Sequence, residues 1–263
     1  MPEPIIYYDM PRNGAENMTD GEQSWSLNTL KTRYALNIKG LPYKTEWLCF
    51  SQVAPKMKEL GLGPHPSSIG AKGIASIAYS VPTIVDPNNA GHIQTESFAI
   101  AQYLDAKYPD TPKLVPAGTA ALQQAYLDNV FRPLVGACFP IICYPIFEQC
   151  CIAQADSDHF RRTREEWFNG TKLEDIAPQG EKVGEACAEF RKHLDVIAGH
   201  VAANGPDAGV LISGGETPNH ADTSIAAVLI SVVKLMGKQH ELSKVILEHP
   251  WAGKYLQVFS KWE

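Results

Sequence analysis

The spacing of apolar positions along the chain changes character twice, and the changes mark out its organisation. Behind Pro4, Ile5-Ile6-Tyr7-Tyr8 is a compact β-branched and aromatic run that predicts a first strand. Residues 10–23 are rich in Pro, Asn, Gly, Asp and Glu and read as a polar loop. From Ser24-Trp25-Ser26 onward, Leu27, Leu30, Tyr34, Ala35 and Ile38 recur at helical spacing, and Gly40 and Pro42 stop that helix. Residues 43–50 set Lys44 and Glu46 against Tyr43, Thr45 and Trp47, the alternation of a second strand. Strand, helix and strand in so short a span predict a parallel crossover unit.

Residues 51–79 are punctuated by Pro and Gly, with one helical segment at 53–60. Loops of that length inside a domain are usually binding loops, and Lys56, Lys58, His65 and Lys72 would bring positive charge to an anionic ligand. Each of them taken singly reads as solvated surface charge. Next, Val81-Pro82 opens a short strand at Thr83-Ile84-Val85, residues 86–91 form a turn, and His92-Ile93-Gln94 is the returning strand. Thr95 or Ser97 is placed to cap a helix over 97–107, with Glu96 putting negative charge at its start. Residues 80–97 thus read as a ligand cradle.

Three prolines in residues 108–116 mark a boundary. Beyond it the pattern is helical throughout: 120–152, interrupted at Pro133, Pro140 and Pro145, then 158–168, 180–203, 220–236, 241–247 and 251–261. Residues 223–233 are apolar nearly all round, which predicts a helix enclosed on every side. Asn219 as its cap and Asp222 three positions on make a variant capping box that satisfies orphan donors at a buried helix end.

Composition narrows the function classes. A net charge of −6 offers no basic field for nucleic acid. No run is expected to reach the roughly 18 apolar residues of a membrane span, and residues 1–4 lack the pattern of a secretory signal, so a cytoplasmic location is the expectation. The six cysteines, at 49, 138, 143, 150, 151 and 187, form no CxxC pair and no zinc spacing. They read as small buried hydrophobes, with a redox pair at Cys150-Cys151 the lesser alternative, and no metal is expected.

The order strand, helix, strand, long loop, hairpin, helix, proline linker and α-helical region resembles the cytosolic glutathione transferases. Val81-Pro82 resembles the family's dipeptide with a cis proline, Glu96-Ser97 its acidic-hydroxyl pair, and residues 219–222 its C-terminal capping motif. Residues 25–37 and 97–101 are more narrowly similar to the etherase-related fungal class A transferases of wood-decaying fungi, although Ser26-Leu27 stands where Ser-Pro is usual. The resemblance implies a thioredoxin-like α/β domain at 1–108, built as βαβ then ββα on a mixed four-stranded sheet. A linker at 109–117 and an all-α helical bundle at 118–263 follow. It implies glutathione as co-substrate, with the Val81 backbone pairing the peptide beside Pro82, and Glu96 and Ser97 taking the ammonium and carboxylate of the γ-glutamyl end.

By the same match Ser26 is the catalytic choice, donating a hydrogen bond to the sulfur at a helix start, with Asn28 and Ser24 as donors that orient or replace it; a plain helix cap is the structural alternative. Tyr7 and Tyr8 can reach the site but as strand tyrosines read as core. The second pocket is expected between the domains, along the proline-broken helix at Phe131, Pro133, Phe139, Ile142 and Phe147, for hydrophobic aromatic partners. The implied function is a serine-type transferase acting on aromatic electrophiles in detoxification. The alternatives are a ligandin for polyphenols and other aromatics, and a non-enzymatic interaction module. A homodimer is implied by the family alone.

Overall fold

The computed structural model describes residues 3–64 and 78–263. Strand β1 (Ile5–Asp9) lies inside a mixed sheet of order β2-β1-β3-β4. β2 (Tyr43–Trp47) runs parallel to it, with Ile5 opposite Tyr43. β3 (Thr83–Asp86) is antiparallel on its other side, Tyr7 opposite Ile84, and β4 (His92–Thr95) pairs antiparallel with β3 at the edge. Tyr7 and Ile84 are fully buried, so their shared face is core. This is the expected thioredoxin-like sheet.

Among the described residues four α-helices belong to this half. α1 (Asp20–Gln23) lies in the stretch read as a loop, where Thr19 and Glu22 form a full capping box. α2 (Thr29–Lys39) makes the crossover and ends at Gly40, whose φ of 62° suits glycine. α3 (Phe50–Glu59) begins before the expected 53–60, and the second strand accordingly stops at Trp47 rather than running to residue 50. α4 (Ser97–Lys107) has the expected span. Between the two last strands the Asp86 carboxylate binds the turn, taking hydrogen bonds from Asn88 N–H, Asn89 Nδ2, and the hydroxyls of Tyr103 and Tyr108.

The remaining helices are α5 (Ala120–Tyr126), α6 (Arg132–Cys150), α7 (Gln154–Trp167), α8 (Glu181–Ala202), α9 (His220–Met236), α10 (Glu241–Glu248) and α11 (Ala252–Phe259). A π-turn, Leu127–Phe131, joins α5 to α6, and the three prolines do not break the helix as expected. Pro133 sits in the first turn of α6, where no N–H is needed, and burial of Leu134, Cys138, Ile142 and Cys143 outweighs the bonds lost at Pro140 and Pro145. By length and composition residues 120–150 could span a membrane, against the expectation that no run would. One face of α6 packs on α8 and α9, and 33% of the most apolar stretch within residues 120–150 is buried.

α9 is buried along nearly its whole length, as its composition predicted. Its capping box is present: Asn219 Oδ1 accepts from Asp222 N–H (3.0 Å), and the Asp222 carboxylate accepts from Asn219 N–H (3.1 Å). The same carboxylate takes the N–H groups of Ile212 and Ser213, and Tyr255 donates its hydroxyl to the Asp222 carbonyl.

The two halves meet where α2 packs on α9. The Leu114 carbonyl accepts from His220 N–H (2.8 Å), while its own N–H goes to Asp105, itself paired with Lys39 (2.8 Å). Beside this junction Lys31 is buried, its Nζ donating to Asn28 Oδ1 (3.2 Å) and lying 4.1 Å from the Phe131 ring centre. Burial pulls Lys31 down to about 7 although the Glu96 charge works against it. Burial, with the Lys31 ammonium adding to it, pulls His220 down to about 3; among the described residues neither ring nitrogen of His220 has a hydrogen-bond partner.

Two consequences are measurable. Asp222→Ala orphans three N–H groups and should lower the free energy of unfolding in urea by on the order of 3 kcal/mol; a loss under ~1 kcal/mol would mean that those donors find other acceptors. Lys31 has a lower pKa folded than unfolded, so above pH 7 the unfolded chain holds the extra proton and stability rises with pH until the ordinary lysine value is reached. The slope contributed by Lys31 should approach about 1.4 kcal/mol per pH unit, one proton's worth. The difference between wild type and Lys31→Met, unfolded at pH 6 to 9 (roughly the span in which Lys31 titrates), should show that slope; parallel curves would contradict it.

Candidate functional site

Asp9, at the end of β1 and fully buried, organises the loop that leads to Ser26. Its Oδ2 accepts from Ser24 Oγ (2.8 Å) and from Arg33 Nη2 (3.2 Å), and its Oδ1 from Met10 N–H (2.7 Å). From the helical half, Lys234 Nζ donates to the carbonyls of Gly21 (2.6 Å) and Ser24 (3.2 Å). Trp25 Nε1 donates to the Pro11 carbonyl. Ser24 is therefore committed to the scaffold. Ser26, two residues on, reaches a cavity of about 360 Å³ between the two halves.

Ser26 lies three residues before α2 rather than at its first residue, and its carbonyl takes the Leu30 N–H (2.9 Å). Its Oγ accepts a long hydrogen bond from Asn28 N–H (3.4 Å), and among the described residues no protein group accepts the hydroxyl proton. Asn28, exposed at the N-cap, also lines the cavity, and its Oδ1 accepts from Lys31. Tyr7 gives its hydroxyl to the Thr29 carbonyl, and neither it nor Tyr8 lines the cavity.

Val81 lines the same cavity, its bond to Pro82 is cis, and sheet pairing of β3 begins only at Thr83. Glu96 and Ser97 stand apart from this lining. Glu96 rather than Thr95 or Ser97 occupies the cap of α4, with no side-chain capping bond. Its φ of 67° is a conformation that side-chain-bearing residues rarely adopt and that clusters at functional sites. Glu96 acts on Lys31, which is bonded to Asn28, so the acidic-hydroxyl pair and the cavity edge are linked through one lysine. Of the four basic residues expected at the loop, Lys56 and Lys58 lie in the last turn of α3, Lys56 paired with Glu59 and Lys58 over Tyr79; His65 and Lys72 fall outside the described residues.

The opposite wall differs from the expectation. Of the five residues proposed on the broken helix only Phe139 lines the cavity; Ile142 is fully buried core, and Phe131 packs over Lys31. The wall comes instead from α7, with His159, Phe160, Arg162, Thr163, Arg164 and Glu166. Phe50 links the halves, 6.3 Å from Trp25 and 5.2 Å from Phe160 between ring centres, and Ser51 N–H donates to Asp156 (2.8 Å). Burial, together with Arg164 and Arg162, pulls His159 down. None of the six cysteines lines the cavity; all are free, and burial pushes Cys143 up to about 11 and Cys151 up to about 12.

Comparison with known proteins agrees with this fold. Residues 25–107 match the glutathione S-transferase N-terminal domain and residues 121–262 the C-terminal domain. The chain is similar to the glutathione S-transferase CsGST63524 of Ceriporiopsis subvermispora, solved in complex with glutathione: 36% identity, TM-score 0.84, covering 99% of this chain and 96% of that one. Glutathione transferase GSTFuA3 from Phanerochaete chrysosporium is 32% identical with TM-score 0.83, covering 100% and 98%. The glutathione S-transferase-like protein ustS of Aspergillus flavus is 28% identical over 237 residues, 86% of this chain and 79% of its own length. With both domains matched and a relative above 30% identity across its length, the chain belongs to the glutathione S-transferase family.

Proposed function

We propose that this transferase activates the thiol of glutathione through the Ser26 hydroxyl for attack on hydrophobic aromatic electrophiles. The observation that carries the reading is the uncommitted hydroxyl proton of Ser26, buried at the edge of an interdomain cavity, with Ser24 and Tyr7 both engaged elsewhere. A thiol with an ordinary pKa near ~8.5 is mostly protonated at neutral pH. A hydrogen bond from Ser26, and the partial positive charge of the α2 N-terminus just beyond it, favour the thiolate. Asn28 offers its amide donors beside it.

Val81, beside Pro82 and ahead of the paired part of β3, supplies backbone groups for the peptide of glutathione, while Glu96 and Ser97 suit the ammonium and carboxylate of its γ-glutamyl end. The protonated, buried cysteines speak against a mixed-disulfide route. The rings of Trp25, Phe50, Phe139 and Phe160 around the cavity also favour a second reading, a ligandin that holds aromatic molecules with little turnover.

Ser26→Ala should lower kcat/KM for conjugation of chlorodinitrobenzene by on the order of 100-fold and raise the pKa of bound glutathione, followed by thiolate absorbance, while retention on immobilised glutathione persists. A drop of about twofold or less with glutathione still bound would assign activation to another group. Tight displacement of an apolar fluorescent probe without turnover by the wild type would favour the ligandin.

A further inference from the structure

Arg164 lines the cavity, and the reading above makes no use of it. It is 6% exposed, so it is a cation held largely out of water. The guanidinium lies over the rings of Phe160 and Trp167, 4.4 and 4.0 Å from their centres, and Nη1 donates to Thr163 Oγ1 (2.8 Å). Among the described residues its Nε has no partner. Among the described residues no carboxylate is paired with it, and the acidic groups that act on its charge are the thiols of Cys143 and Cys151, which burial keeps protonated. Burial pulls the guanidinium down to about 10, which leaves it charged at neutral pH.

A buried cation without a carboxylate is costly, and ring faces offset only part of that cost. An arginine has five donors in a planar fork, and this one uses few of them inside the protein. Arg162 on the same helix adds positive charge to the wall, against one acid, Glu166, while His159 there is held towards its neutral form. Arg33 shows the contrast in counter-charge: about as buried, and likewise without a partner for its Nε among the described residues, it has the Asp9 carboxylate at 3.2 Å together with Thr45 and Tyr43 as partners.

We propose that the cavity selects aromatic electrophiles bearing a carboxylate, which Arg164 receives at the far wall while the ring lies among Trp25, Phe50 and Phe139. This rests on, and narrows, the reading of the cavity as the second-substrate site. The ligand anion supplies the counter-charge the chain does not, and a fork-on-carboxylate pair in a site of low water content is strong and directional. In the conjugation itself the thiolate sulfur bonds to the ring carbon, the carbon–chlorine bond breaks, chloride leaves with the bonding pair, and the thiol proton goes to solvent.

Two paired measurements test this. Calorimetric titration of the glutathione-loaded protein with naphthoate and with its uncharged isostere naphthamide should give at least tenfold tighter binding of the acid. The acid-to-amide ratio should fall at least fivefold in Arg164→Gln and be partly kept in Arg164→Lys. Equal or tighter binding of the amide by the wild type would overturn the proposal and leave Arg164 as a strut between Phe160 and Trp167; so would a ratio unchanged in a folded Arg164→Gln. Should the variants fail to fold, the wild-type ratio decides. Turnover of a chlorodinitrobenzoate against its amide, corrected for the uncatalysed rate, should show the same preference. Selective binding of the acid with turnover of neither compound would leave this inference standing and remove the transferase reading alone.

Discussion

The Asp222 carboxylate closes the N-terminal end of a helix that has almost no solvent-facing side, and the position of the cavity follows from it. A helix end leaves its first N–H groups without intrahelical partners, and at a dry end water cannot take them. Asn219 and Asp222 satisfy that end reciprocally, and the spare capacity of the carboxylate pins Ile212 and Ser213. With its start fixed, α9 holds the linker through His220 and Leu114 at one end. At the other, Lys234 grips the backbone of Gly21 and Ser24. Those contacts lie fourteen residues apart on one helix, about 21 Å of rigid rod. The serine loop is thereby placed by the helical domain as much as by the sheet below it.

Buried charge is handled in two ways in this molecule. Arg33 and Asp9 neutralise each other beneath the serine loop and bond Ser24, Thr45 and Tyr43, so the buried charge there is already balanced within the protein, which is the pattern of a scaffold. Lys31 and Arg164, at two edges of the candidate site, keep donors that the protein does not saturate. Both have their charged forms disfavoured by burial, and both gain from an incoming anion. A fold optimised for stability alone would pair or remove them.

Features carried by local signals were legible in the sequence. The β-branched run at residue 5, the Gly40 stop, the span of α4 and the capping box at Asn219 each depend on residues within a few positions of one another. So did the capping box at Thr19 and Glu22, which the polar composition around it concealed. The prolines of α6 misled because propensity ranks a lone helix, whereas burial of one face against α8 and α9 decides a packed one. Glu96 as cap, in place of Thr95 or Ser97, depends on how the returning strand meets the helix, which no capping preference encodes.

The wall of the cavity was the least legible part, and the reason is physical. α7 carries Asp156, Asp158, His159, Arg161, Arg162, Arg164, Glu165 and Glu166, a composition that reads as a solvated face. Its identity as a wall comes from two contacts distant in sequence, the Phe50 ring on Phe160 and the Ser51 N–H on Asp156. These draw one stripe of α7 against the start of α3, and the stripe that faces the cavity then carries Phe160 and Arg164, four positions and one turn apart. Arg161, on another stripe, pairs instead with Glu165 and Glu174. Two arginines three residues apart, each over a ring, are thus separated into a part-exposed ion-pair network and a buried cation with no paired carboxylate among the described residues by the orientation of a single helix. Charge alone could not have told them apart, because what distinguishes them is which partners the fold has already supplied.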